Sequence, residues 1–172
     1  RAYIDTQHDA LAASGAGLSI FGNPIGASNT YLTAELMTTY DEQFDAAEAA
    51  VVGDEIFLQR VRWARQPLVF ARLEQAKTRA SGDDGLFERD ADGAWQARGE
   101  ILTRLDEFVS IADEQGVTRV HEWHTSPVEY GQRYRIVLQR VPVDHLAVGR
   151  PLSLTPAFSP KSPADGATTL VD

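Results

Sequence analysis

The chain has 172 residues, 43% of them apolar and 9% aromatic, which is enough for one domain with a single sizeable core. Sixteen basic against 25 acidic residues leave a formal charge of -9, which repels nucleic acid and anionic lipid wherever no local basic patch overrides it. No apolar run reaches the roughly eighteen residues that span a bilayer, so neither a nucleic-acid partner nor membrane insertion is expected. The absence of Cys removes disulfides and thiolate metal sites.

The chain opens on Arg1 and stops at Val171-Asp172 inside a Pro-, Gly- and Ser-rich stretch, and it reads as a piece of something longer. Residues Ala2 to Ser14, with Tyr3, Ile4, Leu11 and several alanines, predict a first helix that Gly15 and Gly17 stop. Leu18-Ser-Ile-Phe21, closed by Gly22-Asn-Pro24-Ile-Gly26, is a short apolar run between breakers and reads as a strand or a buried loop. Thr33 can cap a second helix in which Leu32, Leu36, Tyr40, Phe44, Ala47 and Val51 recur at helical spacing.

Gly53 ends that helix and Asp54 caps a third, whose Phe57, Val61, Ala64 and Leu68 share one stripe widened by Ile56, Trp63 and Phe70. So short a connection predicts an antiparallel helical hairpin. Pro67 removes a backbone donor inside the third helix, which predicts either a kink near its middle or two shorter pieces. Ser81-Gly-Asp-Asp-Gly85 and Arg89-Asp-Ala-Asp-Gly93 read as an exposed acidic loop. A fourth helix is expected from about Trp95, burying Ile101, Leu102, Leu105, Phe108, Val109 and Ala112 and stopping at Gly116.

Ser126-Pro127-Val128-Glu129 is a helix start: a capping serine, a proline at the first helical position and a glutamate able to return a bond to the cap. The fifth helix runs through Tyr134 to about Gln139. Beyond Val141-Pro142 the pattern turns to Pro, Ser and Thr with short apolar pieces such as Leu152-Ser-Leu154. The expected fold is therefore mainly α: an antiparallel bundle of about five helices over residues 1–142, with a strand or loop near 18–21 and an extended or β tail over 143–172.

The densest set of reactive side chains is His121-Glu122-Trp123-His124. Two imidazoles and a carboxylate suit proton transfer or a metal. The spacing departs from the helical zinc motif, which needs histidines four apart, and the remaining histidines, His8 and His145, lie far away in sequence. A structural role is the better reading, and no metal, cofactor or catalytic residue is assigned.

The acidic groups Asp41/Glu42/Asp45/Glu48 and Asp106/Glu107 lie opposite apolar stripes, where charges are solvated, although a glycosidase also needs paired carboxylates. Arg60, Arg62, Arg65 and Arg72 can pair with the acidic face of the second helix, or one of them can take a uronic-acid carboxylate bidentately. Interhelical pairing is the expectation. Of the three tryptophans, Trp63 shares its stripe with core residues, which leaves Trp95 and Trp123 open to stack on sugar rings.

Leu18-Ser-Ile-Phe-Gly-Asn-Pro24, Tyr31-Leu-Thr33, Phe44-Asp-Ala-Ala-Glu-Ala-Ala50 and Arg60-Val-Arg-Trp-Ala-Arg-Gln-Pro-Leu68 together resemble the region C-terminal to the barrel in bacterial glycoside-hydrolase-like proteins related to alpha-glucuronidases. The likeness extends over roughly residues 1–140 and rests on helix-packing patterns. The tail His145-Leu-Ala-Val-Gly-Arg-Pro-Leu-Ser-Leu154, with Ser159-Pro-Lys-Ser-Pro163 and Thr169-Leu-Val-Asp172, is similar to the opening strand of a discoidin-like galactose-binding β-sandwich.

These resemblances imply a non-catalytic accessory region of an extracellular or periplasmic carbohydrate-active protein. Its implied partners are an upstream catalytic barrel, a downstream β-sandwich, a polysaccharide and a second copy of itself, with the catalytic carboxylates upstream of Arg1. An alternative makes the segment one wall of the parent's sugar cleft, through Asn23, Trp95, Trp123 and His124. A third reading is a protein-interaction bundle unrelated to sugars.

Overall fold

A computed structural model describes residues 1–17, 22–120 and 125–143. The run expected to be strand or loop at 18–21, the cluster at 121–124 and the tail from 144 onward lie outside the described residues. The chain divides into Arg1–Pro142 and Val143–Asp172, and the first unit carries every helix and strand among the described residues. It is mainly helical: α1 (Ala2–Ser14), α2 (Ala34–Ala50), α3 (Glu55–Ala76), β1 (Phe87–Arg89), β2 (Trp95–Ala97), α4 (Gly99–Glu114) and α5 (Pro127–Leu138).

The helix starts form as their capping residues dictate. Thr33 accepts from the Leu36 N–H, Asp54 from the Phe57 N–H and Ser126 from the Glu129 N–H, each answering one of the donors a helix start leaves unpaired. The carboxylate of Glu129 does not return to the cap; it pairs with Arg133 one turn on. Pro67 lies inside α3 without dividing it, and the helix continues from Glu55 to Ala76.

Two corrections concern the stretch between α3 and α4. The acidic loop contains a hairpin, and the fourth helix begins at Gly99, so Trp95 stands on a strand. β1 and β2 pair antiparallel with Phe87 opposite Ala97, Glu88 opposite Gln96 and Arg89 opposite Trp95. The cause is local: the Asp90 carboxylate accepts from the Asp92 and Ala94 N–H groups at 3.0 and 2.8 Å, and Gly93 takes φ +81°. An Asp turn closed by a left-handed Gly is a hairpin signal that outweighs the helical reading of the residues after it.

Two cores share α3. In the first, Tyr40, Met37 and Phe44 of α2 meet Leu68 and Ala71 of α3 beside Ala27 and Leu32. Tyr3 of α1 lies across it, with its ring 5.1 Å from Tyr40 and 4.9 Å from Phe44. In the second, Leu73 and Ala76 of α3 meet Leu86, Phe87, Ile101, Leu105, Phe108, Tyr130, Tyr134 and Leu138. Fully burying each such Leu contributes about 1.5–3 kcal/mol.

The stripe assigned to α3 from its periodicity is only half correct. Leu68 is buried, but Ile56, Phe57 and Trp63 are 65%, 51% and 39% exposed, and Val52 just before the helix is 80% exposed. The core built with α4 and α5 takes Val69, Phe70, Leu73 and Ala76 from α3 and nothing earlier. The first half of the helix therefore has α2 as its neighbour on one side, and Trp63 is not a core residue.

At Gly131, α5 lies tight against α4. A Cβ at this position would lie 2.9 Å from Cγ2 of Val109, a branched side chain with little room to yield. Gly131→Ala is expected to cost about 1 kcal/mol net, because overpacking of about 1–3 kcal/mol exceeds the gain of about 1 kcal/mol in helix propensity. Urea unfolding of the single variant and of Gly131→Ala/Val109→Ala checks this: the second change should restore stability, and an unaltered single variant would contradict the tight crossing.

Candidate functional site

The charged residues converge between α2 and α3. Arg65 reaches Asp41 at 2.6 Å, Asp45 at 2.7 Å and Glu48 at 3.2 Å. Arg72, about two turns further along the same face of α3, takes the other oxygen of Asp41 at 2.6 Å and lies 3.8 Å from Asp84, while Arg62 stands 3.7 Å from Glu48. Asp41 thus bridges two guanidinium groups. Burial works against the charge on Arg65, but the hydrogen bonds to Asp41 and Asp45 and the charge of Asp41 outweigh it and raise its pKa further.

This arrangement is the interhelical pairing expected of Arg62, Arg65 and Arg72. Arg60 instead lies over the Phe57 ring at 5.4 Å. Beside the network, a cleft of about 520 Å³ runs between α3 and α4 and is lined also by Arg104, Glu107 and Glu114. Its cations and carboxylates balance, and Arg104 pairs with Glu100 at 2.6 Å. The lining of the cleft therefore carries no net charge and offers no single-sign field to draw in an ion.

A second polar group sits at the far end of α3. The Tyr130 hydroxyl donates to Glu74 at 2.7 Å, Lys77 pairs with the same carboxylate oxygen at 2.6 Å, and the Tyr134 hydroxyl donates to the Leu73 carbonyl at 2.7 Å. The Lys77 ammonium lies 5.7 and 5.6 Å from the two ring centres. Burial, and then the charge of Glu74, push both phenols well above the ordinary tyrosine range. Such hydroxyls act as hydrogen-bond donors and not as bases, so the chemistry of this corner is to fix α5 on α3.

Asn23 and Trp95 fall in different parts of the unit. Asn23 is exposed, and its side-chain oxygen accepts from the Gly26 N–H at 2.8 Å, organising its own loop. That loop is tied to α3 by Gln75, which donates to the Pro24 and Leu32 carbonyls at 3.0 Å each. Trp95 packs against the second core, with the Arg89 guanidinium 4.3 Å over its ring, so one face of the indole is occupied. The structure does not bring these two residues together. His121, Glu122, Trp123 and His124 lie outside the described residues.

Among the described residues no three His, Asp or Glu side chains are placed to hold a metal ion, and no helix is long and apolar enough to cross a membrane. Sequence reading missed a third feature, an apolar groove of about 290 Å³ where the end of α4 meets the middle of α3. It carries no charge pattern or motif; only the spatial meeting of Pro67, Phe70, Phe108 and Val120 creates it. No protein-family model, curated protein or solved structure matches this chain.

Arg65→Met is expected to lower unfolding stability by about 2–3 kcal/mol, less than a fully buried pair because Asp45 stays in water; a urea midpoint equal to that of the native chain would remove the network from the account of stability. The raised phenols give a pH dependence. Unfolded tyrosine ionises near about pH 10, and the folded-state values of Tyr130 and Tyr134 lie above it. Their contribution is intact below that pH and is lost as pH climbs past it. Ultraviolet titration should show these phenols ionising together with alkaline unfolding, and independent ionisation of a still-folded chain would contradict the assignment.

Proposed function

We propose that this chain is a non-catalytic helical accessory module of a carbohydrate-active, glycoside-hydrolase-like protein that works outside the cytoplasm, and that it acts by packing on other protein surfaces. The observation that carries the reading is the exposed apolar face of α3. Val52, Ile56, Phe57 and Trp63 are large apolar side chains concentrated on and beside one half-helix, whereas scattered single apolar residues would need no explanation. An uncovered helical face of this kind is what a neighbouring barrel, a following β-sandwich or a second copy would complete.

The polar groups support the same reading. Arg65, Arg72, Asp41, Glu48 and Glu74 are committed to each other or to tyrosines across helix pairs, which makes them struts of the unit. The link to sugars rests on the residue patterns Leu18–Pro24, Tyr31–Thr33, Phe44–Ala50 and Arg60–Leu68. The alternative in which the segment forms one wall of a sugar cleft finds less support, since Asn23 serves its own loop and Trp95 has Arg89 over one face.

Two measurements test the proposal. The chain should release no chromophore from a panel of aryl glycosides, and steady hydrolysis would overturn the accessory reading. Trp63→Lys should leave the melting temperature of this chain unchanged but lower that of the intact parent by several degrees, since a loss of 1 kcal/mol shifts a domain of this size by about 2–4 °C. Equal melting of the native and variant parents would show that nothing covers α3.

A further inference from the structure

We infer that the apolar groove between α3 and α4 is a docking site for an extended, acidic-flanked segment of a partner protein, held by its side chains and also through its main chain. The inference builds on the chain being a contact module and is independent of any link to sugars.

The groove's apolar wall includes Pro67, Phe70 and Val120, and two amide side chains border it, Gln66 and Gln115. Both amides carry a buried atom with no hydrogen-bond partner: the side-chain oxygen of Gln66 and the side-chain nitrogen of Gln115. The assignment at Gln66 is fixed by its own nitrogen, which donates to the Arg62 carbonyl at 3.2 Å, so its oxygen is left to accept. One orphan acceptor and one orphan donor thus belong to side chains that line the same apolar groove, Gln66 bordering the charged cleft as well. Each buried polar group without a partner costs about 1–3 kcal/mol, and the soft terminal torsion of glutamine lets the amide turn toward an occupant, at Gln66 by giving up its bond to the Arg62 carbonyl.

The pair of orphans selects the occupant. A peptide unit in an extended chain offers one N–H and one C=O, the complement of Gln66 and Gln115. A partner helix has spent those groups on its own hydrogen bonds, and an apolar surface offers neither. The seat is also longer than the groove alone. Ile56, Trp63, Pro67 and Phe70 fall on one face of α3 at helical spacing, and the span from Ile56 to Phe70 is about 21 Å at the helical rise. That length matches about six residues of extended chain.

Charge sets the flanks. Arg119 borders the groove, and Arg60, one turn from both Ile56 and Trp63, stands beside the stripe with its guanidinium over Phe57. In a chain of net charge -9, two arginines along an apolar track favour acidic residues on what binds there. The recognition mode is that of a short segment lying along a groove, with apolar side chains giving affinity and main-chain bonds giving register.

The test is panning of a displayed library of random linear peptides on the full chain, followed by anisotropy measurements with the enriched peptides. Apolar sequences with Asp or Glu flanks should emerge. Gln115→Leu should weaken them by about tenfold or more, the loss of roughly 1.4 kcal/mol, without lowering the melting temperature, because an unpaired buried amide is removed. Arg119→Glu, a surface change, should reverse the preference for acidic flanks and serves should the first variant fold poorly. Absence of enrichment, peptides indifferent to both variants, or a dimer of this chain that covers the groove would each overturn the inference. Hydrolysis of glycosides by the chain would defeat the accessory reading and leave the groove result standing.

Discussion

Helix α3 has to serve two cores at once, and the rest of the unit follows from how it does so. Its 22 residues make it the longest element described. One side carries Leu68 and Ala71 to α2, and the other carries Leu73, Ala76, Val69 and Phe70 to α4, α5 and the hairpin. A helix can do this only where neighbours reach both of its sides, and the core built with α4 and α5 takes residues of α3 only from Val69 onward. Burial therefore concentrates after Pro67, and among the described residues the first half packs its apolar side chains on α2.

Charge compensates for what apolar packing does not supply between α2 and α3. The acidic face of α2 would repel itself through Asp41, Asp45 and Glu48, and Arg65 turns that repulsion into cohesion. Partial burial makes these pairs worth more than free surface pairs, whose median is at most about 1 kcal/mol. At the other end, Glu74 does a parallel job for α5: one carboxylate oxygen receives the Tyr130 phenol of α5 and the Lys77 ammonium. Both devices fix relative helix positions, a scaffold's task.

The surface features point outward in a different way. The uncovered half of α3 leads toward the groove at its middle, because Ile56, Trp63, Pro67 and Phe70 repeat on one face, with Gln59 and Arg60 on the turn between the first two. A tract that begins as bare apolar helix and ends in a groove bordered by unpaired amides is costly to leave empty, on both hydrophobic and hydrogen-bonding grounds. This physical cost joins the accessory-module reading to the peptide-docking one.

The sequence by itself determined what depends on neighbours along the chain. The capping residues Thr33, Asp54 and Ser126, the stops at Gly15, Gly53 and Gly116 and the apolar spacing of α2 and α4 each act within a turn or two, so five helices were legible without coordinates. The ion pairs of Arg62, Arg65 and Arg72 were legible too, since a short hairpin forces an acidic helix against a basic one. The hairpin at Asp90–Ala94 was also local, but its turn signal lay hidden in an acidic stretch.

Only the tertiary structure decided which part of an apolar stripe is covered. Periodicity reports that Ile56, Trp63, Leu68 and Phe70 can face a core, and it is silent on how far α4 extends along α3. The groove and its orphan amides depend on residues some fifty positions apart, Gln66 and Gln115, and on the point where one helix ends against another. That meeting point is set by packing across the unit, and no local signal encodes it.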